Sequence, residues 1–221
     1  MRYLYHPHAK ESFLALIEND YKYIIKARRH TLGDRIFLRN LSDAHLYCYE
    51  IQTITKKEAH IALVDYEIQT VEAKHKLHIG WCMIDPKSIE KSIASLNEMG
   101  VAKITFIYCD RSQKNFKIDS ERLEKILISS SSQCGRSSII TLEHSPTLQD
   151  FKRTYPNSLM VNFSTTHLEQ NALIDTLVIG CEGGFTPAEM RLYEGQIVGF
   201  DTPLILKSQS AALAVASKVL L

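Results

Sequence analysis

Residues Leu177 to Glu189, reading LVIGCEGGFTPAE, constrain the fold more tightly than any other stretch of the chain. Leu177, Val178 and Ile179 carry apolar β-formers on both faces, the pattern of a strand buried in a parallel sheet. Gly180, Gly183 and Gly184 then permit backbone angles and close approach that a Cβ would forbid. Thr186, Pro187 and Glu189 match the N-cap, N1 and N3 positions of a capping box, with proline at its preferred first helical position. A strand, a glycine-rich turn and a capped helix at the carboxyl edge of a sheet form the place where open α/β folds hold nucleotide-like ligands. The same residues equally suit a tight strand-to-helix connection with no ligand, and this stretch alone does not separate the two. It matches neither GxGxxG nor a Walker A loop with its lysine, which disfavours a phosphate-rich cofactor.

The surrounding chain supplies the rest of such a sheet. From Lys76 onward, HIGWCMI predicts a strand, followed by Asp85-Pro86 and a helix over Ser88 to Met99. ITFIY, a helix over Ser120 to Gln133, a short SSII strand, a helix from near Thr147, SLMVNF and TLVIG continue the alternation. Ile197 to Phe200 add a last short strand. Alternation of this kind predicts a parallel sheet with helices on both faces. The apolar run Ala211 to Leu221 is too short and alanine-rich to span a bilayer, and it predicts a helix buried against the body of the protein or against a second copy.

The first third of the chain has a different texture. IFLR, LYCYEI and HIALV alternate over Ile36 to Val64 between polar turns, which predicts a small β-barrel with a helical turn near Asp20 to His30. Polar residues from Glu67 to His75 then read as a linker. The division expected is a barrel over 1–68 and an α/β domain over 75–221.

A net charge of +1 argues against a nucleic-acid partner until its distribution is considered. Lys22, Lys26, Arg28, Arg29, Arg35 and Arg39 face a single acid, Asp34, with Tyr21 and Tyr23 interleaved. Such a stripe can contact RNA phosphates while the tyrosines offer faces to bases; it is also compatible with a solvated surface that binds nothing. The cysteines are Cys48, Cys82, Cys109, Cys134 and Cys181, odd in number and without CxxC spacing, so neither a disulfide framework nor a zinc site is indicated. No metal is expected, and His6-Pro7-His8 lacks the acids or cysteines that would make it a metal pair. The opening residues show no charged segment followed by an apolar stretch, so no signal peptide is expected. Cytoplasmic placement and no membrane contact follow as expectations.

Taken together these segments resemble the RsmE family of bacterial ribosomal RNA methyltransferases, in the SPOUT superfamily. Gly180, Glu182, Gly183, Gly184, Phe185 and Glu189 match the family's Gly-Pro-Glu-Gly-Gly element and its Glu-led helix. Ile205, Leu206 and Ala211 match Ile-Leu-Arg-x-Glu-Thr-Ala, with Lys207, Gln209 and Ser210 at its polar positions. Upstream, Gln133 and Arg136 fall at the family's Gln-x-x-Arg, Glu98 to Val101 at Glu-Leu-Gly-Val, Arg111-Ser112 after the next strand, and Arg28-Arg29 with Gly33-Asp34 near the start. The order is kept along nearly the whole chain. Departures mark a divergent member: Cys181 stands for a proline, Thr202 for a glycine, and Lys207 for an arginine whose bidentate fork it cannot reproduce.

The resemblance implies a PUA-like or OB-like RNA-binding barrel, and a SPOUT α/β domain with a deep C-terminal trefoil knot. It implies S-adenosylmethionine bound in that knot by Val161, Phe163, Ile179, Gly180, Glu182, Gly183, Gly184, Val198, Gly199, Ile205 and Leu206. The implied reaction is methyl transfer to N3 of a uridine in the 16S rRNA of the small ribosomal subunit. Lys207 and Arg136 are the implied stabilisers of developing charge, and Glu182 is either the proton acceptor or an anchor for its own loop. Arg111 joins Lys22, Lys26, Arg28, Arg29 and Arg39 as a candidate RNA contact. A homodimer through the knot and final helix is implied as well. Two other functions fit the same residues: a non-catalytic RNA-binding assembly factor, and a SPOUT enzyme acting on tRNA or a ribose hydroxyl.

Overall fold

The computed structural model describes residues 2–170 and 172–221. The chain divides into two compact units, the first running to Glu72 and including Ser131–Ser138, the second formed by Ala73–Ser130 and Ile139–Leu221.

The first unit is a curled five-stranded sheet of order β1-β3-β4-β5-β2. Its strands are β1 (Leu4–Tyr5), β2 (Phe13–Leu16), β3 (Arg35–Arg39), β4 (His45–Ile54) and β5 (Ala59–Ile68). β1 runs parallel to β3 and the other pairs are antiparallel. The β4–β5 register shifts at Cys48/Tyr49 and again at Ile51/Thr53. Extra residues on one strand increase local twist, which curls the hairpin around Leu16, Leu38, Tyr49, Ile51 and Ile61, all fully buried. β5 extends to Ile68, so the linker begins later than the polar run from Glu67 suggests. The expected helical turn is α1 (Glu18–Tyr21) running into a π-helical turn over Lys22–Ala27.

The stretch Ser131–Ser138 belongs with this unit because its polar groups are tied there. Arg136 Nε donates to Glu72 Oε2 at 3.1 Å, Tyr3 donates its hydroxyl to the Arg136 carbonyl at 2.7 Å, and Ser137 Oγ donates to Glu72 Oε1 at 2.8 Å. These bonds replace the expected SSII strand. The strand forms a few residues later, at Thr141–Ser145.

The second unit is a six-stranded, wholly parallel sheet of order β11-β9-β10-β6-β7-β8. Its strands are β6 (His78–Cys82), β7 (Lys103–Ile107), β8 (Thr141–Ser145), β9 (Leu159–Val161), β10 (Thr176–Ile179) and β11 (Ile197–Val198). Every residue of β6 is buried, as a central strand covered on both faces requires. The helices are α2 (Pro86–Met99), α3 (Ser120–Cys134), α4 (Leu148–Thr154), α5 (Pro187–Arg191) and α6 (Ser208–Leu220). α2 ends on Gly100 at φ 97°, the left-handed cap that glycine supplies without strain. Buried Trp81 on β6 donates its indole N–H to Ser208 Oγ at 2.9 Å, fixing the start of α6 over the sheet.

Candidate functional site

The capping box predicted at α5 forms in full. Thr186 Oγ1 accepts from the Glu189 N–H, and Glu189 Oε2 accepts from the Thr186 N–H at 2.9 Å. Glu189 is buried, and its other oxygen, Oε1, accepts from the Asp110 N–H at 2.8 Å. One carboxylate therefore ties the helix start to the loop after β7. Thr186 Oγ1 also donates to Asp110 Oδ2 at 2.9 Å.

Arg111 makes the next link. Its Nη1 donates to the Gly183 carbonyl at 2.7 Å, and a Cβ on Gly183 would lie 3.1 Å from Arg111 Cβ. Arg111 thus packs beneath the glycine loop and is spent on holding it, a structural role that its listing among basic residues did not suggest. Below it, Cys109 and Cys181 bring their sulfurs to 3.7 Å. The bond to Cys181 pulls the Cys109 thiol down, but the Cys82 thiol and burial outweigh it and leave Cys109 at about 12. Cys181 is raised too, by its bond to Cys109 and then by burial. Both remain protonated thiols, small and inert, at neutral pH.

Three loops at the carboxyl ends of β9, β10 and β11 enclose a cavity of about 650 Å³. Val161, Phe163, Ile179, Gly180, Glu182, Gly183, Gly184, Ile205, Leu206 and Lys207 all line it, drawn together from stretches up to 46 residues apart (161 to 207). Asn162, Ser164, His167, Phe200, Asp201, Thr202 and Ser208 line it as well. Thr202 stood out only as a departure from the family pattern, Asn162, Ser164, Phe200 and Asp201 share the expected loops, and nothing in the sequence pointed to His167 or Ser208. Val198 and Gly199 are absent from the lining and act behind it. Gly199 N–H donates to the Thr166 carbonyl and its carbonyl accepts from the Leu168 N–H, both at 2.8 Å. A Cβ at Gly199 would meet the Asn162 carbonyl at 2.9 Å and the Ser164 backbone at 3.0 Å, so glycine is what lets two loops touch here.

The lining suits a small polar molecule with a flat part. Its volume falls in the usual range for ligand cavities. Among the described residues, the N–H groups of Glu182, Ile205 and Leu206 have no hydrogen-bond partner, so they are free to bind one, whereas the Gly183 N–H bonds the Cys181 sulfur. Ser208 Oγ donates to the Gly180 carbonyl and so pins the third loop to the second. Glu182 is exposed, and among the described residues its carboxylate makes no hydrogen bond or ion pair, so it does not anchor its loop. Lys207 lies at the rim and is likewise exposed. Arg136 is committed to Glu72 and Ser138 in the first unit, and the cavity lining does not include it.

In the first unit, Lys22, Lys26, Arg28, Arg29 and Arg35 are exposed. Arg39 is not. Its guanidinium is buried, donates to the carbonyls of Ala44, His45 and Gln69 and to Gln69 Oε1, and lies 5.4 Å from the Tyr3 ring. Arg39 is thus part of the core rather than an RNA contact; alternation places it outside, but the carbonyls at the start of β4 and just after β5 need a buried donor. The tyrosine faces are also taken: Arg28 covers Tyr23 at 5.3 Å and donates to its hydroxyl, and Lys26 sits 5.4 Å from the ring of buried Tyr21.

Among the described residues no group of three or more histidine, cysteine or acidic side chains could hold a metal, and no helix is long and apolar enough to cross a membrane.

Comparison with known proteins agrees with this architecture. A family model described as an RNA methyltransferase domain matches residues 71–220. The Ribosomal RNA small subunit methyltransferase E of Helicobacter pylori strain 26695 is 39% identical over 98% of this chain and 98% of its own length. The same enzyme from Buchnera aphidicola is 27% identical over 87% of this chain and 83% of its own. Two solved structures share the fold at lower identity. A methyltransferase from Legionella pneumophila, in complex with SAM, has TM-score 0.78 at 24% identity and covers 98% of this chain and 95% of its own. A Ribosomal RNA small subunit methyltransferase E from Neisseria gonorrhoeae, bound to S-adenosylmethionine, has TM-score 0.79 at 17% identity and the same coverage, 98% and 95%. With a family model across the second unit and 39% identity along nearly its whole length, the chain belongs to the ribosomal RNA small subunit methyltransferase E family.

Proposed function

We propose that this protein is an S-adenosylmethionine-dependent methyltransferase that acts on N3 of a uridine in the 16S rRNA of the small ribosomal subunit. The observation that carries the reading is the cavity itself. Its size, its free backbone N–H groups and its place at the carboxyl ends of β9, β10 and β11 suit S-adenosylmethionine, and they occur in a chain of this family.

S-adenosylmethionine supplies a methyl group already activated on a sulfonium. The protein's tasks are then orientation and the handling of charge. The N–H groups of Glu182, Ile205 and Leu206 would hold the adenine and methionine ends of the bound cofactor. Phe163, Ile205 and Leu206 shield the transfer from water. N3 of a uridine carries a proton and is a poor nucleophile until it leaves. Glu182, exposed at the cavity and free of partners among the described residues, accepts that proton. The Lys207 ammonium stabilises the negative charge that develops on the flanking carbonyl oxygens. Arg136, bonded to Glu72, takes no part in this step. RNA is held in addition by the exposed stripe Lys22, Lys26, Arg28, Arg29 and Arg35.

The same reading includes a PUA-like or OB-like barrel in the first unit, a trefoil knot, and a homodimer. Support for the knot lies in β11 pairing outside β9, its stitches to Thr166 and Leu168, and the return of the chain to Gly180 at Ser208. Support for the dimer lies in the apolar rim, where Phe163 is 77% and Ile205 82% exposed. Sedimentation velocity at micromolar concentration is expected to give twice the mass of the 25.2 kDa chain, and a monomer alone would remove the dimer.

Calorimetric titration of the purified protein should give micromolar binding of S-adenosylmethionine and S-adenosylhomocysteine. Mapping of 16S rRNA from a deletion strain should then show one N3-methyluridine lost. Folded protein that binds neither molecule, with the methylation pattern intact in the deletion strain, would overturn the proposal.

A further inference from the structure

A second cavity, of about 660 Å³, opens on the same carboxyl edge of the parallel sheet, beyond β7 and β8, and the reaction described above leaves it unused. Tyr108, Asp110 and Lys114 from the loop after β7 line it together with Leu148 and Gln149 from the start of α4 and Leu192 at the end of α5. The boundary with the cofactor cavity is built from bonds already described. Cys109 lines the second cavity and its sulfur touches Cys181, which lines the first. Asp110 and Glu189 line the second, and both are bonded to Thr186, two residues beyond the glycine loop.

The chemistry of the lining is that of a nucleotide site. Leu192 and the Tyr108 ring, over buried Leu148, give an apolar surface against which a base can lie. Three polar groups are left unspent among the described residues: the Lys114 ammonium and the Gln149 amide have no partner, and Asp110 keeps Oδ1 free while Oδ2 accepts from Thr186. An amide and a carboxylate oxygen can bond the polar edge of a base, and an ammonium can meet a phosphate. Both cavities open on this same edge, so a strand presenting a uridine to the cofactor cavity would pass the second one, and proteins read single-stranded RNA by splaying neighbouring bases into such pockets.

We propose that the cavity between the β7 loop and the start of α4 is a subsite for one nucleotide of the RNA strand beside the methylated uridine, with its base on Leu192 and the Tyr108 ring, its polar edge on Gln149 and Asp110, and its phosphate on Lys114. The proposal rests on the reading of the protein as an RNA methyltransferase. It also assigns Asp110, which belongs to the boundary between the cavities, the task of keeping the two occupants in register.

The test uses the full chain and 16S RNA transcribed with 4-thiouridine in place of part of its uridine. Irradiation is expected to join the RNA to peptides containing Tyr108–Lys114 or Pro146–Gln149. Lys114→Glu and Gln149→Ala, both exposed positions, should raise the RNA KM about tenfold while S-adenosylmethionine affinity stays at the wild-type value, and Lys114→Arg should restore the KM. Unchanged KM in both variants, with no cross-link in either segment, would overturn the subsite even if the wild type methylates RNA normally. Wild-type protein that transfers no methyl group but still cross-links there would overturn the methyltransferase reading and leave the subsite standing. Micromolar binding of uridine monophosphate alone, undisturbed by added RNA, would reassign the cavity to a free nucleotide and overturn the proposal as stated.

Discussion

At the scale of single residues, the same basic side chain does different work according to what its loop leaves unsatisfied. Arg111 sits on an exposed loop yet gives one N–H to the Gly183 carbonyl and packs its stem against the glycine. Arg111→Ala removes both and frees the loop that carries Glu182. The expected result is a roughly tenfold weaker S-adenosylmethionine Kd, about 1.4 kcal/mol, with the melting temperature almost unmoved, and Arg111→Lys should recover part of the loss. Equal Kd values for wild type and Arg111→Ala, measured by calorimetry, would return Arg111 to the list of RNA contacts. Arg39 makes the opposite point: from its spacing it belongs to a surface stripe, but its four hydrogen bonds to Ala44, His45 and Gln69 and its burial make it a core residue. Whether a cation faces solvent depends on which carbonyls end nearby in space, and neighbours in sequence do not report that.

At the scale of elements, the cavity depends on loops that touch backbone to backbone. Gly199 follows β11, and the atoms nearest to its missing Cβ all belong to the backbone of Asn162 and Ser164, with no flexible side chain that could move aside. Gly199→Ala should therefore cost about 1–3 kcal/mol of stability, as overpacking does elsewhere, and widen the gap between two cavity walls. Urea unfolding would measure the first effect and cofactor titration the second; a variant unchanged in both would show that the loops adapt freely. The elements themselves were largely legible. The strand, glycine turn and capping box at Leu177–Glu189 appear as predicted because their signals are local: β-formers, glycines, and a side chain that caps three residues away. The strand expected at SSII was displaced to Thr141–Ser145 because Arg136 and Ser137 bond to Glu72, some 65 residues earlier, and periodicity carries no trace of such a partner.

At the scale of the whole molecule, the parallel sheet stores a titratable group far from the site. His78, at the start of β6, is buried, bonds Thr105 Oγ1 at 2.8 Å through Nε2, and packs edge-on to Tyr155. Burial, followed by the charge of Lys103, pushes it down to about 4, against a smaller opposing pull from Glu143. The folded protein therefore keeps His78 neutral where the unfolded chain, titrating near 6.5, takes up a proton. Its contribution is intact above pH 6.5 and is lost as pH falls from there toward 4, by roughly 2–3 kcal/mol in all. The urea midpoint should fall across that window, and His78→Gln, which keeps a hydrogen-bonding group but does not titrate, should flatten this part of the fall. Identical pH profiles for the two proteins would remove His78 as the cause.

What the sequence determined by itself was the set of local decisions. It specified where β-formers run, where a glycine turn gives way to a capped helix, and where alternation changes from strand-rich to strand and helix in turn. It also carried enough of a family's order for the cofactor loops to be named, and nine of the eleven residues named there line one cavity. Tertiary structure decided what each charged side chain is used for. Arg136 and Arg39 are drawn into the first unit, Arg111 goes under the glycine loop, and Glu182 is left without a partner among the described residues, because a buried carbonyl or carboxylate must find a donor wherever the fold brings one within about 3 Å. That choice is made between segments distant in sequence, after the backbone has closed, and no local pattern encodes it.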